Sequence, residues 1–355
     1  MNSMNLNKIL DHNLAQVNSF SLRKNITSIG LVSLFLFFSV SFILHSFFHY
    51  SLLTSLSSIS QAESVQASEI KQEQVQKEAS NENKSQIYST TKPKSFPKKI
   101  TKKDLPNFEA KSVLVKDHKT GKILLKKTTQ TQRPLASITK LMSALVFLET
   151  NPDWGEKVRI VKNDIVGPHV DQGEVYTIEE LWSAALIGSS NKSILTLAES
   201  VNWPKQAFIQ RMNQKAVELG MDNTYFAGTT GLKKKNVSTA EDITILLDEA
   251  LKYKKIQTAL ATDEYTIDYK KNNHHIWNTD WLLLGWIPND FTKIFGGKTG
   301  YIEAAGYNFT VQLSKGEGRV LDIVVLGANS HEARFTVARD AAEWVYQNYV
   351  WSDSP

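Results

Sequence analysis

An α+β fold behind an N-terminal apolar segment is what this sequence predicts, on three observations. Apolar runs of strand length fall into two groups, one on each side of a middle region patterned as helices. Those helices open on recognisable caps. A long polar stretch separates all of this from an uncharged run near the N-terminus. A chain of 355 residues has room for one large domain or two ordinary ones.

From Ile26 to Leu44 no residue carries a formal charge, and the uncharged run continues to Tyr50, interrupted only by His45 and His49. At about 1.5 Å per residue, a helix of that length crosses most of a hydrocarbon core of about 30 Å. Lys8, Arg23 and Lys24 precede it, and no Lys or Arg follows until Lys71. The positive-inside rule therefore predicts a cytoplasmic tail over 1–25, a single transmembrane anchor over 26–50, and everything beyond on the outer side of the cell membrane. A cleaved signal peptide is the competing reading. Ser60-Gln61-Ala62 has the small-x-small pattern, but far beyond the apolar run. Residues 51–105 are rich in Ser, Gln, Lys and Glu and cannot bury enough surface to offset the entropy of ordering, which predicts a disordered linker. Roughly fifty such residues reach about 40 Å, enough to matter for a substrate in the wall.

The folded domain is expected over 106–351. Val113-Leu114-Val115 and Ile123-Leu124-Leu125 flank Asp117-His118-Lys119-Thr120-Gly121 as a hairpin around a turn. A helix is predicted from Ser137 to Glu149, with Leu141, Leu145 and Leu148 on its apolar face. Thr177-Ile178-Glu179-Glu180 and Ser238-Thr239-Ala240-Glu241 read as capping boxes that open two further helices. Between them, one helix follows Asn191 to Val201, and another has Pro204 in its first turn and stops at Gly220. Strands are predicted at Lys298–Ile302, Tyr307–Leu313 and Arg319–Leu326, and a last helix at His331–Tyr349.

Ser137-Ile138-Thr139-Lys140 places a hydroxyl and an amine one helical turn apart. Serine is a weak nucleophile until a base takes its proton, and lysine serves as that base only when burial or nearby positive charge lowers its pKa. A helix start adds N–H groups that favour developing negative charge. The spacing alone proves little, because Ser21 with Lys24 and Ser189 with Lys192 repeat it, and Lys119-Thr120-Gly121 repeats Lys298-Thr299-Gly300. Order decides. Ser137-x-x-Lys140, then Ser189-Ser190-Asn191, then Lys298-Thr299-Gly300 form the three-motif signature shared by penicillin-binding proteins and class A β-lactamases.

Around these motifs the chain from Phe108 to Tyr349 resembles the low-molecular-mass penicillin-binding proteins, the serine D-alanyl-D-alanine carboxypeptidases. The resemblance runs through Pro134 to Met142, Met212-Asn213-Gln214-Lys215-Ala216, Glu218-Leu219-Gly220-Met221, Ser238 to Asp242, and Gly297-Lys298-Thr299-Gly300-Tyr301 with Ala305-Gly306-Tyr307-Asn308. It implies a β-lactamase/transpeptidase-like fold, an antiparallel five-stranded sheet flanked by helices with a helical subdomain beside it. It also implies roles: Ser137 as the acylated nucleophile, Lys140 as its base, Ser189 as proton relay, and Asn191 as holder of the substrate amide and of Lys140. Lys298, Thr299 and Gly300 would hold the terminal carboxylate with Arg334, and the N–H groups of Ser137 and Tyr301 would form the oxyanion hole. The implied substrate is the peptidoglycan pentapeptide, and β-lactams are implied as covalent inhibitors. No cofactor is implied.

The sequence departs from that family at three places. Lys192 and Ser193 follow Asn191, where Asp and Ala are usual, and a cation there could shift the pKa of Lys140 or alter substrate preference. Ile302 stands where Thr is common, and Phe226 to Leu232 lacks the usual Asn-Pro. A class A β-lactamase is disfavoured, since no E-x-x-L-N lies between Asn191 and Lys298. A D,D-endopeptidase would use the same residues, and a wall-binding homologue without turnover would keep the fold. His274-His275 with Asp280, and His169 with Asp171, match no zinc spacing. The net charge of +5 comes without a basic stripe interleaved with aromatics, which argues against nucleic acid. No cysteine is present, which excludes disulfides and thiolate chemistry.

Overall fold

The computed structural model describes residues 96–160, 165, 167–204, 206–268, 273–316 and 318–351. The expected tail, anchor and most of the linker lie outside the described residues. No helix among the described residues is long and apolar enough to cross a membrane.

The frame is one antiparallel sheet built from both ends of the domain. Strands β1 (Ala110–Asp117) and β2 (Ile123–Lys127) come before the helices; β3 (Lys293–Ile302), β4 (Gly306–Ser314) and β5 (Val320–Ala328) come after them. The spatial order is β3-β4-β5-β1-β2, so the late strands join the early ones through the β5–β1 pair. Alternation along the strands sends side chains to two faces. Val113, Val115, Ile323 and Val325 enter one apolar cluster with Phe335, Ala338 and Val345 of the last helix. Leu114, Val324 and Leu326 enter the other, with the remaining helices. A sheet buried on both faces explains why these strands read as nearly continuous apolar runs.

The helices are α1 (Thr139–Leu148), α2 (Ile178–Leu186), α3 (Asn191–Ser200), α4 (Ala207–Glu218), α5 (Ala240–Lys252), α6 (Lys254–Leu260) and α7 (Ala333–Asn348). The α2 capping box forms as its sequence predicts: Glu180 N donates to Thr177 Oγ1 at 3.2 Å, and Thr177 N donates to Glu180 Oε2 at 2.7 Å. At α5 the cap moves by one residue. Thr239, not Ser238, accepts from Asp242 N at 3.1 Å, because Glu241 is drawn away to Thr129 Oγ1 at 2.6 Å. Pro204 is not inside α4; it closes the turn before it, with Ala207 N donating to Pro204 O at 2.7 Å.

Helix α6 and the hairpin Glu264–Ile267 with His274–Trp277 were not expected from the sequence. Lys98–Lys99, within the stretch expected to be linker, pair with Tyr349–Val350.

Candidate active site

The nucleophile segment is held at both ends before any chemistry begins. Arg133–Pro134 pair with Val237–Ser238, and Leu135 N donates to Asn236 O at 2.9 Å. From the sheet side, Asn308 Nδ2 donates to Pro134 O at 2.9 Å and Leu135 O at 3.2 Å, while Asn308 Oδ1 accepts from Gly327 N at 2.8 Å. Ala136 then takes a left-handed φ of 49°. This turn throws Ser137 into a short 3-10 segment, Ala136–Ile138, ahead of α1. The helix therefore starts two residues later than the sequence predicts, and Ser137 precedes it. Two glycines permit the crowding. A Cβ on Gly231 would stand 1.9 Å from Ala136 O, and one on Gly300 would stand 2.7 Å from Leu135 O and 3.0 Å from Ser137 N.

Lys140 lies on the first turn of α1 and is fully buried. Its Nζ is hydrogen-bonded to Ser137 Oγ at 2.7 Å, Asn191 Oδ1 at 2.7 Å and the carbonyl of Thr230 at 2.9 Å. Burial pushes its pKa well below the usual lysine value, and the charge of Lys298 pushes the same way. Lys192 is not among those causes. Its Nζ donates to Val170 O at 3.2 Å, and the charge that acts on Lys140 is that of Lys298.

The middle motif divides its work by backbone shape. Ser189 adopts a φ of 60°, a conformation that costs a non-glycine residue about 1–3 kcal/mol. Ser190 becomes the cap of α3, accepting from Ser193 N at 3.2 Å. Its neighbours Ser189 and Asn191 are left to face the two lysines.

Lys298, on edge strand β3, donates to Ser189 Oγ at 2.9 Å. Burial, then the charge of Arg334, lowers its pKa to about 7, with Asp280 acting in the opposite sense. Thr299 Oγ1 bonds Thr279 Oγ1 at 2.7 Å. Arg334 is buried rather than lying on the surface of its helix; it donates to His331 Nε2 at 2.7 Å, and burial lowers its pKa to about 10. Tyr301 is half exposed and stacks on Tyr307 at 4.4 Å.

The three motifs, far apart in sequence, thus meet along one line: Ser137, Lys140, Asn191, then Ser189 and Lys298. Four contributors escaped the sequence reading: the Thr230 carbonyl, Thr279, Asn308 and Asp280. A main-chain acceptor leaves no trace in residue type. Asn308 did stand in the Ala-Gly-Tyr-Asn stretch, without a role. Of the histidines considered as metal ligands, His275 Nε2 bonds Glu264 Oε2 at 2.8 Å, and His274 Nε2 lies 3.2 Å from Asp171 Oδ2.

Comparison with known proteins gives the same result. The D-alanyl-D-alanine carboxypeptidase family model matches residues 98–330. D-alanyl-D-alanine carboxypeptidase DacF of Bacillus subtilis is 31% identical over 257 residues, which cover 68% of this chain and 63% of that protein. The chain thus spans slightly less than two thirds of that relative. A D-alanyl-D-alanine endopeptidase of Pseudomonas aeruginosa is 32% identical over 246 residues, covering 67% of this chain and 78% of the relative. Among solved structures, penicillin-binding protein D2 of Listeria monocytogenes in its cefotaxime-bound form superposes with a TM-score of 0.61 at 26% identity, over 69% of this chain and all (100%) of that one. With 233 consecutive residues matched by the family model and the three motifs converging in one cleft, the chain belongs to the D-alanyl-D-alanine carboxypeptidase family of serine peptidases, the low-molecular-mass penicillin-binding proteins.

Proposed function

We propose that this chain is a membrane-tethered D,D-carboxypeptidase that removes the terminal D-alanine from peptidoglycan stem pentapeptides through an acyl-enzyme on Ser137. The observation that carries the reading is the buried Lys140 amine nitrogen, 2.7 Å from Ser137 Oγ. With its pKa depressed, Lys140 is available as a neutral base. It takes the Ser137 proton as Oγ bonds to the carbonyl carbon of the penultimate residue. The resulting oxyanion faces the N–H groups of Ser137 and Tyr301, a contribution of about 3–4 kcal/mol per donor in serine peptidases generally. The C–N bond then breaks, the proton passes through Ser189 to the departing amine, and D-alanine leaves. Water, deprotonated by Lys140, cleaves the ester and restores Ser137. Asn191 orients Lys140 and the substrate amide, while Lys298, Thr299 and Arg334 hold the carboxylate at the strand made accessible by Gly300.

The same cleft fits a D,D-endopeptidase cutting cross-links, a second reading favoured by the Pseudomonas aeruginosa relative of that name. A wall-binding protein without turnover is disfavoured by the intact contacts of Lys140 with Ser137 and of Lys298 with Ser189. The proposed location is the cell membrane, with residues 26–50 as anchor, the N-terminus inside and the catalytic domain outside.

Labelling the chain with a fluorescent penicillin tests the reading, with Ser137→Ala as control. Ser137-dependent label in the membrane fraction is expected; no such label overturns the assignment. D-alanine released from a pentapeptide, against cleavage of a cross-linked dimer, then separates the two peptidase readings.

A further inference from the structure

A chain of aromatic rings leads out of the cleft to a surface that the proposed reaction does not use. It starts at Tyr301 and Tyr307, 4.4 Å apart, and passes through His331 to Trp281, whose rings lie 4.3 Å apart. It ends on Trp286, 5.6 Å from Trp281, and on Trp277, 5.9 Å from Trp286. Trp277 and Trp286 are 48% and 52% exposed. Single exposed apolar residues are ordinary, but neighbouring indoles beside a cleft form a binding surface.

The placement ties that surface to the substrate. Trp277 ends the hairpin strand His274–Trp277, and two residues on, Thr279 bonds Thr299 through its hydroxyl at 2.7 Å and Ile187 O through its N–H at 3.2 Å. The same backbone therefore touches the carboxylate-binding strand, the approach to Ser189 and the platform.

We infer that Trp277 and Trp286 form a sugar-binding subsite that takes the N-acetylated amino-sugar backbone to which the stem peptide is attached. A pyranose ring offers C–H bonds on its face and hydroxyls at its rim. It therefore needs a flat indole beneath and polar groups at the edge. The edge is present: Glu264 pairs directly across the hairpin from Trp277, and His275, bonded to Glu264 at 2.8 Å, sets its ring 4.7 Å from that of Trp277. A stem peptide alone is too short of apolar faces to need two tryptophans. An anionic membrane surface is disfavoured by the carboxylate beside Trp277, since membrane-facing aromatics are flanked by Lys and Arg.

The inference rests on peptidoglycan being the substrate, so the test reads binding and turnover separately. In the full chain, N-acetylglucosamine hexamer is expected to bind saturably in titration calorimetry, and Trp277→Ala/Trp286→Ala is expected to abolish that binding. Binding of the hexamer should persist in Ser137→Ala, which lacks the nucleophile, so it survives even if the peptidase reading fails. The double variant should raise KM for a disaccharide-linked pentapeptide about tenfold, equivalent to about 1.4 kcal/mol, while KM and kcat for the bare pentapeptide hold within about twofold. Equal effects on both substrates, or no hexamer binding by the parent, would overturn the proposal. So would loss of binding to phosphatidylglycerol vesicles in the variant without loss of hexamer binding, which would make the platform a membrane contact.

Discussion

Two clusters of charge among the described residues are built on opposite principles. Beside the sheet, Lys116 pairs with Asp248 and lies 3.5 Å from Asp322, while His118 Nδ1 lies 3.1 Å from Asp248 and 3.3 Å from Asp322. Two cations meet two carboxylates, and Gln312 adds a hydrogen bond to Asp322 at 2.8 Å. Although His118, Asp248 and Asp322 come within 4.8 Å of one another like metal ligands, the Lys116 ammonium already stands among them. In the cleft, Lys298 and Arg334 face a single buried carboxylate, Asp280, and Lys140 lies within the field of Lys298. The first cluster neutralises itself and ties β1 and β5 to α5. The second is left short of negative charge, at a cost in folding energy, and its pKa values are displaced accordingly. An anion from outside would complete it, as the terminal carboxylate of the proposed peptide substrate would.

That contrast can be broken from either side. The largest effect is expected in the cleft. Lys140→Met removes the base and should slow acylation by penicillin about 10²- to 10⁴-fold, with a melting temperature unchanged or higher, because an apolar side chain replaces a buried polar amine. Stopped-flow acylation and calorimetry on one preparation measure both; a large loss of stability would show Lys140 to be a structural ion.

In the balanced cluster the signs reverse. Asp248→Asn should lower unfolding free energy by about 1–3 kcal/mol in urea titrations while leaving penicillin labelling intact. It also tests a pH dependence. The Asp248 and Asp322 hydrogen bonds raise His118 from 6.5 to about 10, so its stabilisation is complete below about 6.5 and is lost as pH rises through about 10. That slope should flatten in the variant.

The smallest effect sharpens the role of Lys298. With its pKa lowered to about 7, the free enzyme loses a carboxylate-binding cation above that pH, and kcat/KM should fall there. Lys298→Arg keeps the charge, so its alkaline limb should move upward even if its absolute rate is lower. An unmoved limb would assign the titration to another group.

Much of this was legible in the sequence, for reasons that differ by element. The strands that join the sheet are buried on both faces, so they stand out as apolar runs, and the Thr177–Glu180 box names its helix start by residue type. The three motifs survive as short strings because each supplies side chains to one point. Less was legible where tertiary contacts outcompete local signals. Glu241 leaves its own cap for Thr129, which moves the start of α5, and the left-handed turn at Ala136 takes Ser137 off its helix. Acceptors on the main chain, such as Thr230 O, carry no residue signature at all.

The pairing of Lys98–Lys99 with Tyr349–Val350, with Ile100 N also bonded to Asn348 O at 2.9 Å, brings the two ends of the catalytic domain side by side. A domain closed in this way tolerates being cut open elsewhere. Joining the paired ends with a short glycine-rich connector and opening the exposed β1–β2 turn around Lys119 would give a circularly permuted peptidase with its cleft-forming strands in their original neighbourhood. The chain ends could then be moved around the domain while its active face is kept, turning the position of the termini into an experimental variable.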